Sequence, residues 1–218
     1  MSSAVDEQHS YWESMGARRS PLHPAVVGFA RPKLELVRRS LGPGVRTLLE
    51  VGAGSGFLSL PLSEVYDLTC LDFSENMLSK NPLPADRKVV GRAEDLPFSD
   101  DSFDAVLCAN LLHHLEEPQL AVVEMRRVAR RHLILIEPNA RNPLMFLFGL
   151  LKKSERGTLK FSRDYLAELG RAAGLLLRAE SVQGFIVPNR TPTRLVPWIA
   201  RIDREHPLGF YCIAVFDK

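Results

Sequence analysis

An apolar run from Val45 to Val51 leads directly into three glycines at alternate positions, Gly52, Gly54 and Gly56. The run has the length and composition of a buried parallel strand, and the apolar-periodic segment after the glycines predicts a helix. Because glycine has no Cβ, a ligand can lie against the bare backbone of such a loop. A strand–loop–helix unit also directs backbone N–H groups and a helix N-terminus to one place. The chain is therefore predicted to build a ligand site early in an α/β fold.

The spacing of these glycines distinguishes between ligands. A dinucleotide-binding loop has the pattern Gly-x-Gly-x-x-Gly/Ala, which requires a small residue at position 57, and Phe57 occupies that position. Glu50 lies just before the loop, where its carboxylate would repel a pyrophosphate but help to hold a ligand that carries an ammonium group. This acid-x-Gly-x-Gly-x-Gly segment resembles the first motif of the class I S-adenosylmethionine-dependent methyltransferases.

The resemblance implies an α/β fold, namely a Rossmann-like three-layer sandwich with a seven-stranded, mostly parallel sheet whose last strand is antiparallel. Residues 45–218 would form this domain, because a chain of 218 residues suffices for one well-cored α/β unit but is short for two. Residues 1–44 would form an N-terminal arm and a helix that cover the cofactor site, with the helix beginning at Pro32. Lid insertions are expected at about residues 141–161 and 185–208.

An acid ends the predicted second strand. The run from Asp67 to Asp72 is apolar enough for a strand, and Asp72 stands at its carboxyl end. A carboxylate at that point can accept hydrogen bonds from both hydroxyls of an adenosine ribose. An exposed loop residue or a helix N-cap is the alternative role, but Ser74 fits the cap better.

Further cofactor contacts are implied by the resemblance. The segment 92–98 is similar to the family's adenine-contact segment, with Arg92 in place of the usual acid, so that Glu94 would supply the carboxylate. Tyr11 would lie near the methionine carboxylate or pack on the sheet edge, and Phe73 and Met77 suit either the adenine or the core. The predicted cofactor-binding residues are Tyr11, Glu50, Gly52, Ala53, Gly54, Gly56, Asp72, Phe73, Met77, Ala93, Glu94, Asn110 and Leu111.

Two histidines follow the predicted fourth strand, which spans 103–109. Since ligands of open α/β sheets bind at the carboxyl ends of the strands, His113 or His114 would face the methyl donor or the acceptor. An imidazole there can take a proton from an acceptor hydroxyl or amine, and His114 is the preferred candidate. The alternative is that the pair orders the turn after the strand through hydrogen bonds.

Composition limits the other functions. The net charge of +2 does not favour nucleic acid, and the arginines within 126–131 are expected to form a solvated helix face on a helix spanning 118–130. Cys70, Cys108 and Cys212 lie in apolar runs, which predicts buried free thiols in a reducing compartment and no metal site. The chain has no signal-peptide pattern and no apolar run of bilayer-spanning length, so a cytoplasmic location is expected.

The segment 144–151 is apolar on every side and is followed by Lys152 and Lys153. Four roles are open: a lid over an apolar acceptor, a subunit contact, a peripheral membrane contact through 144–153, or a buried helix that caps the site. A second candidate for the acceptor pocket is the proline- and arginine-rich stretch 188–207, predicted to be a long loop.

Together these patterns predict S-adenosylmethionine-dependent methyl transfer to a small, apolar metabolite or lipid-like acceptor, with S-adenosylhomocysteine as the product. The chain is expected to act as a monomer or homodimer, without nucleic acid. An RNA methyltransferase and a catalytically silent partner subunit that binds the cofactor are the alternatives. A nucleotide-dependent oxidoreductase is disfavoured by Phe57 and Glu50.

Overall fold

The computed structural model describes residues 10–16 and 18–218. Seven strands form one sheet in the order β3-β2-β1-β4-β5-β7-β6. Strands β1 to β5 are parallel, and β7 runs antiparallel to both of its neighbours, β5 and β6, as predicted. The strands are β1 (Thr47–Val51), β2 (Asp67–Asp72), β3 (Lys88–Val90), β4 (Phe103–Ala109), β5 (Ala129–Pro138), β6 (Leu176–Gln183) and β7 (Tyr211–Asp217).

Helices cover both faces of the sheet, which gives the three-layer sandwich. One buried cluster joins the sheet to α1, α2 and α7, and a second joins its other face to α4 and α6. The central strands are mostly apolar because both of their faces are buried. The helices are α1 (Pro24–Leu41), α2 (Ser59–Ser63), α3 (Glu75–Ser79), α4 (Pro118–Val128), α5 (Pro143–Leu151), α6 (Arg163–Ala172) and α7 (Val196–Ile202).

Helix α1 begins earlier than predicted. It starts at Pro24, where the His23 side chain caps it by accepting from the Ala25 N–H (3.1 Å), and Pro32 lies inside the helix. The prediction that Pro32 begins the helix is therefore wrong. The buried side of α1 extends back to Ala25 and includes Phe29, so burial against the sheet outweighs the one backbone hydrogen bond that an internal proline forfeits.

Two other boundaries also differ from the prediction. Helix α4 ends at Val128 and not at 130, because β5 already begins at Ala129, which pairs with Phe103. The stretch 188–207 is not one long loop, since it contains a 3₁₀ turn and α7. The three cysteines are buried free thiols, as predicted. Across the described part of the chain, no helix combines the length and apolar character that crossing a membrane requires.

A lysine of α1 is completely buried where this helix packs on the first residue of β7. Lys33 is only 1% exposed, and its Nζ donates to the Phe29 carbonyl (3.0 Å) and lies 3.8 Å and 4.1 Å from the ring centroids of Phe29 and Tyr211. Burial lowers the pKa of Lys33 to about 7, against the opposing effect of Asp203. The folded state therefore releases this proton far more readily than the unfolded state does.

We expect Lys33→Met to stabilise the protein at pH 6.5 by about 1–3 kcal/mol, because it removes a buried cation with no ion pair to hold it. The ordinary pKa of lysine is 10.5. Between pH 7 and pH 10.5 the unfolded state binds more protons than the folded state does. The free energy of unfolding of the wild type should therefore rise with pH over this range and be lost again as the pH is lowered from 10.5 to 7. Urea unfolding at pH 6.5 and 9.5 measures both effects.

Lys160→Met, at an exposed position, is the control and should change neither stability nor its pH dependence. If Lys33→Met destabilises the protein at pH 6.5, then the contacts of Nζ with the two rings outweigh the cost of burying the charge.

Candidate functional site

A cleft runs along the carboxyl ends of β1, β2 and β4. It consists of two adjoining cavities of about 620 Å³ and 490 Å³. Both cavities are lined by Tyr11, Trp12, Gly52, Asp72, Phe73, Leu111 and His114. Since the two share so many residues, a single elongated ligand can extend from one into the other.

Most of the predicted cofactor positions line this cleft. The first cavity adds Ala93 and Glu94. The second adds Glu50, Ala53, Gly54, Met77, Asn110 and His113. Gly56 is the exception, because it lines neither cavity. A Cβ at this position would contact Pro82 and Asn81 instead.

The backbone N–H groups of the glycine loop are already used within the protein. Gly52 and Ala53 both donate to the Leu71 carbonyl (2.8 and 3.0 Å), and Gly56 donates to Ala53 (3.0 Å). Gly54 donates to Asp72 Oδ2 (2.8 Å). The expectation that these groups face the ligand is therefore wrong. A pyrophosphate needs free N–H donors, so these four amides do not form the phosphate cradle of a dinucleotide-binding loop.

Gly52 is required for this loop geometry. Its φ is +76°, and a Cβ at this position would lie 2.9 Å from the Leu111 side chain. The loop after β1 can therefore meet the loop after β4 only because residue 52 has no side chain.

Asp72 connects the loop to the cleft. Its Oδ2 accepts from the Gly54 N–H, and its Oδ1 accepts from the Ser74 N–H (3.0 Å). Burial raises the pKa of Asp72, although these amide donors oppose the rise. Each carboxylate oxygen has a second lone pair, so this residue can still accept from a ligand hydroxyl in either cavity. Ser74 caps α3 by accepting from Met77 N–H, as predicted.

Glu50 is buried on the floor of the second cavity. Ser59 Oγ–H donates to its Oε2 (2.6 Å), and Cys70 Sγ lies 3.6 Å from the same oxygen. Burial raises the pKa of Glu50 to about 7, against these two hydrogen bonds. An ammonium group entering the cavity would restore the charged carboxylate, because an opposite charge favours ionisation.

The N-terminal arm lies over the cleft. Residues 10–13 are helical, and Asn76 Nδ2 holds the arm by donating to the Glu13 carbonyl (2.8 Å). Lys152 Nζ donates to the Tyr11 hydroxyl (3.1 Å), and the Trp12 ring meets the His114 ring edge-on at 5.2 Å. Tyr11 thus faces both cavities and does not pack on a sheet edge.

Arg18 is a site residue that the sequence analysis missed. Its guanidinium lies over the Phe57 ring at 4.9 Å and lines the second cavity. Burial lowers the pKa of Arg18, while the charges of Glu155 and Asp72 act to raise it. A cation at this point can pair with a ligand carboxylate in the second cavity, which Glu50 also lines. No local motif surrounds Arg18, so only the fold reveals its position.

Two carboxylates, the buried Glu137 and the partly exposed Glu155, hold His113. Its Nδ1 lies 2.5 Å from Glu137 Oε2, and its Nε2 lies 3.4 Å from Glu155 Oε2. Burial alone would lower the pKa of His113, but Glu137 and Glu155 raise it to about 9. Glu137 also accepts from the N–H groups of Leu111 and Leu112, so it orders the turn after β4.

His114 has the opposite character. Burial and the neighbouring His113 lower the pKa of His114 to about 3, so the ring is neutral at pH 7. Its Nδ1 is buried and has no hydrogen-bond partner among the described residues. Neither histidine has the pKa near 7 that suits a general base at neutral pH. Catalysis by His113 or His114 stays a prediction.

Several other polar residues have structural roles. Asn139 Nδ2 donates to the Gly209 carbonyl (2.8 Å), which ties β5 to the segment before β7. Arg92 pairs with Glu94 (3.3 Å) at the rim of the first cavity. The predicted solvated helix face is wrong, because the arginines do not share one helix. Arg127 is half-buried on α4 and pairs with Glu124 (2.7 Å), whereas Arg130 is exposed on β5 and pairs with Asp104 (2.7 Å).

Comparison with known proteins identifies the domain that holds this cleft. Residues 49–136 match the protein family described as "Methyltransferase domain". This segment contains the glycine loop, Asp72 and both histidines. Residues 49–136 therefore match a methyltransferase domain, in agreement with the predicted resemblance to the class I S-adenosylmethionine-dependent methyltransferases. The predicted resemblance and the predicted fold are thereby confirmed.

Relatives of the methyltransferase domain act on different molecules. A demethylmenaquinone methyltransferase of Renibacterium salmoninarum is 42% identical over 91 residues, which are 40% of this chain and 38% of that protein. A phosphatidylethanolamine N-methyltransferase of Cereibacter sphaeroides is 34% identical over 136 residues, covering 56% of this chain and 65% of that protein. The chain thus spans well under half of the first relative and slightly less than two thirds of the second.

A solved structure shows the same fold over almost the whole chain. The S-adenosylmethionine-dependent methyltransferase of Thermotoga maritima, described as a possible histamine N-methyltransferase, superposes with a TM-score of 0.65. It is 21% identical, and the match covers 97% of this chain and 94% of that one. At this identity the likeness of the methyltransferase domain extends to the fold alone.

Proposed function

We propose that this protein binds S-adenosylmethionine in the cleft and transfers its methyl group to a small, apolar or lipid-like acceptor. The observation that carries the proposal is the pairing of a glycine loop whose N–H groups are used internally with a buried acceptor, Asp72, at the end of β2. The four engaged amides are not free to bind a pyrophosphate, and Asp72 offers the acceptor that a ribose needs.

The residues of the cleft fit the parts of this cofactor in order along its length. The first cavity, with the apolar Leu115 and Leu120, suits the adenine. Asp72, which both cavities share, suits the ribose. Glu50 and Arg18, which line the second cavity and not the first, suit the ammonium and carboxylate of the methionine part.

The cofactor, when bound, supplies an electrophilic methyl group on a sulfonium. The contribution of the chain is to align the acceptor with that group and to exclude water. Trp12 and Tyr11 cover the cleft from the arm, and Lys152 fixes the arm to the segment after α5. Closing the cleft in this way fits a reaction that hydrolysis would compete with.

Calorimetric titration with S-adenosylhomocysteine, with NAD as the matched ligand, tests the proposal. Micromolar binding of S-adenosylhomocysteine alone is expected. Binding of NAD, or of neither ligand, would contradict it.

The acceptor class is inferred from α5. Only Met145 and Gly149 of this helix are buried, so its interpretation as a buried helix is wrong. Leu144 is 65% and Leu151 79% exposed, while Met145 and Phe148 face the second cavity. One side of α5 thus lines the cavity and the other presents leucines to solvent beside Lys152 and Lys153. We propose that this outer side rests on a bilayer from which an apolar acceptor is drawn.

Replacing Leu147 and Leu151 together by Asp should lower binding to phosphatidylglycerol–phosphatidylethanolamine vesicles at least 10-fold, because each exposed leucine contributes about 1–2 kcal/mol when it leaves water. Co-sedimentation measures the binding. Leu176→Asp is the matched control, since this leucine is 73% exposed on β6. Equal loss in the control, or no wild-type binding, would contradict a membrane contact.

A further inference from the structure

Three possible metal ligands converge beside the cleft. One donor atom each from His113, His114 and Glu155 can be chosen so that all lie within 4.8 Å of one another. All three residues line the second cavity. The sequence did not predict this group, because the histidines are adjacent and Glu155 comes from the 3₁₀ segment Lys153–Lys160.

The surroundings of His113 are those of a metal ligand. A metal-binding histidine usually gives its other ring nitrogen to a carboxylate, which fixes the tautomer and orients the ring. Glu137 does this at Nδ1 (2.5 Å), so that Nε2 is the nitrogen that points toward Glu155. Glu137 is itself fixed by the two backbone N–H groups of Leu111 and Leu112.

The spacing of one donor pair, His113 Nε2 and Glu155 Oε2, fits a tetrahedral ion. His113 Nε2 and Glu155 Oε2 are 3.4 Å apart, which is long for a hydrogen bond. Two ligands at about 2.1 Å from Zn²⁺ and at a tetrahedral angle are separated by about 3.4 Å. Lys152 pairs with the other oxygen, Oε1 (3.1 Å), and so leaves Oε2 available.

A second, independent observation is the orphaned nitrogen of His114. Its Nδ1 is buried without a hydrogen-bond partner among the described residues. Buried polar atoms nearly always have a hydrogen-bond partner or a metal ion, so we expect this nitrogen to bind one. A metal ion held by His113 and Glu155 would provide one, since one donor atom of each of the three residues lies within 4.8 Å of the others.

We propose that His113, His114 and Glu155 form a binding site for a divalent transition metal ion of the zinc type, with Glu137 orienting His113. Three protein ligands leave one position open, as in catalytic zinc sites. Because all three residues line the second cavity, that position faces the cavity and can take an oxygen of a ligand. The metal site does not depend on methyl transfer, but its use there, to polarise an acceptor hydroxyl, rests on the proposed function.

The test is titration of untagged, chelator-treated full-length protein with Zn²⁺ by calorimetry, and with Co²⁺ by visible absorption. One ion per chain with a Kd of micromolar or below, and the strong visible bands of tetrahedral Co²⁺, are expected. Glu155→Gln and His114→Gln should each weaken binding at least 10-fold and abolish the tetrahedral bands. Glu137→Gln should weaken binding about 10- to 100-fold.

His132→Gln is the matched control. His132 Nδ1 also meets a carboxylate, Asp217 (2.8 Å), and its Nε2 is also buried with no partner in the described part of the chain, but His132 lies at the opposite end of the sheet strands. This variant should bind Zn²⁺ as the wild type does. Absence of wild-type binding, octahedral Co²⁺ spectra, or equal loss in His132→Gln would overturn the site.

Two further measurements keep the result interpretable. If a variant fails to fold, X-ray absorption of the wild-type Zn²⁺ complex decides, since a shell of two imidazole nitrogens and a carboxylate oxygen is expected and any other shell overturns the proposal. S-adenosylhomocysteine binding is measured in parallel. Binding of Zn²⁺ without binding of S-adenosylhomocysteine would contradict the proposed function but not the metal site. Binding of S-adenosylhomocysteine without binding of Zn²⁺ would contradict the metal site alone.

Discussion

Asp72→Ala should weaken S-adenosylhomocysteine binding about 100-fold or more. Hydrogen bonds to a charged group are worth about 1.5–3 kcal/mol each, and two ribose hydroxyls would lose this partner. The variant should also lose about 1–3 kcal/mol of stability, because the N–H groups of Gly54 and Ser74 are left without their acceptor. Calorimetry and urea unfolding separate the two effects.

Asp72→Asn refines this prediction. Its amide oxygen can still accept from one backbone N–H, so the loop should be better preserved than in the alanine variant, while affinity still falls because the charge is gone. Asp86→Ala, at an exposed carboxylate outside the cleft, is the control and should bind normally. Unchanged affinity in both Asp72 variants would show that this carboxylate does not contact the ligand.

Gly157→Ala should destabilise the protein by about 3 kcal/mol, lowering Tm by roughly 6–12 °C for a chain of this size. A Cβ on Gly157 would lie 1.8 Å from the His113 carbonyl oxygen and 2.8 Å from its carbonyl carbon. These are backbone atoms, and Glu137 holds His113 in place, so neither side can yield easily. The segment that carries Glu155 would be pushed away from the histidines. Thermal unfolding followed by circular dichroism measures the effect.

Gly16→Ala is the matched control for this substitution. Nothing lies within 4 Å of a Cβ built on Gly16, and a change of at most about 0.5 kcal/mol is expected there. A Tm of Gly157→Ala within 2 °C of the wild type would mean that the 3₁₀ segment is free to move away from the β4 turn.

Local sequence patterns were sufficient to predict the strands and the residues at their carboxyl ends. Strand β4 was predicted at its observed bounds, and Asp72 was placed at the end of β2, because a continuous apolar run between polar turns has few other uses in a parallel sheet. The same logic failed for Pro32, where burial of the preceding turn outweighed the local preference of proline for a helix start.

The sequence by itself determined the fold family, the glycine loop and the identity of the acid that faces the cleft, since each depends on residues adjacent in the chain. Only the tertiary structure decided what the loop amides do, because their acceptors, Leu71 and Asp72, belong to another strand. It also decided that His113 lies between Glu137 and Glu155, which are 24 and 42 positions away. Partners so distant leave no spacing in the sequence, because the backbone path between them is set by the packing of whole elements and not by local propensity.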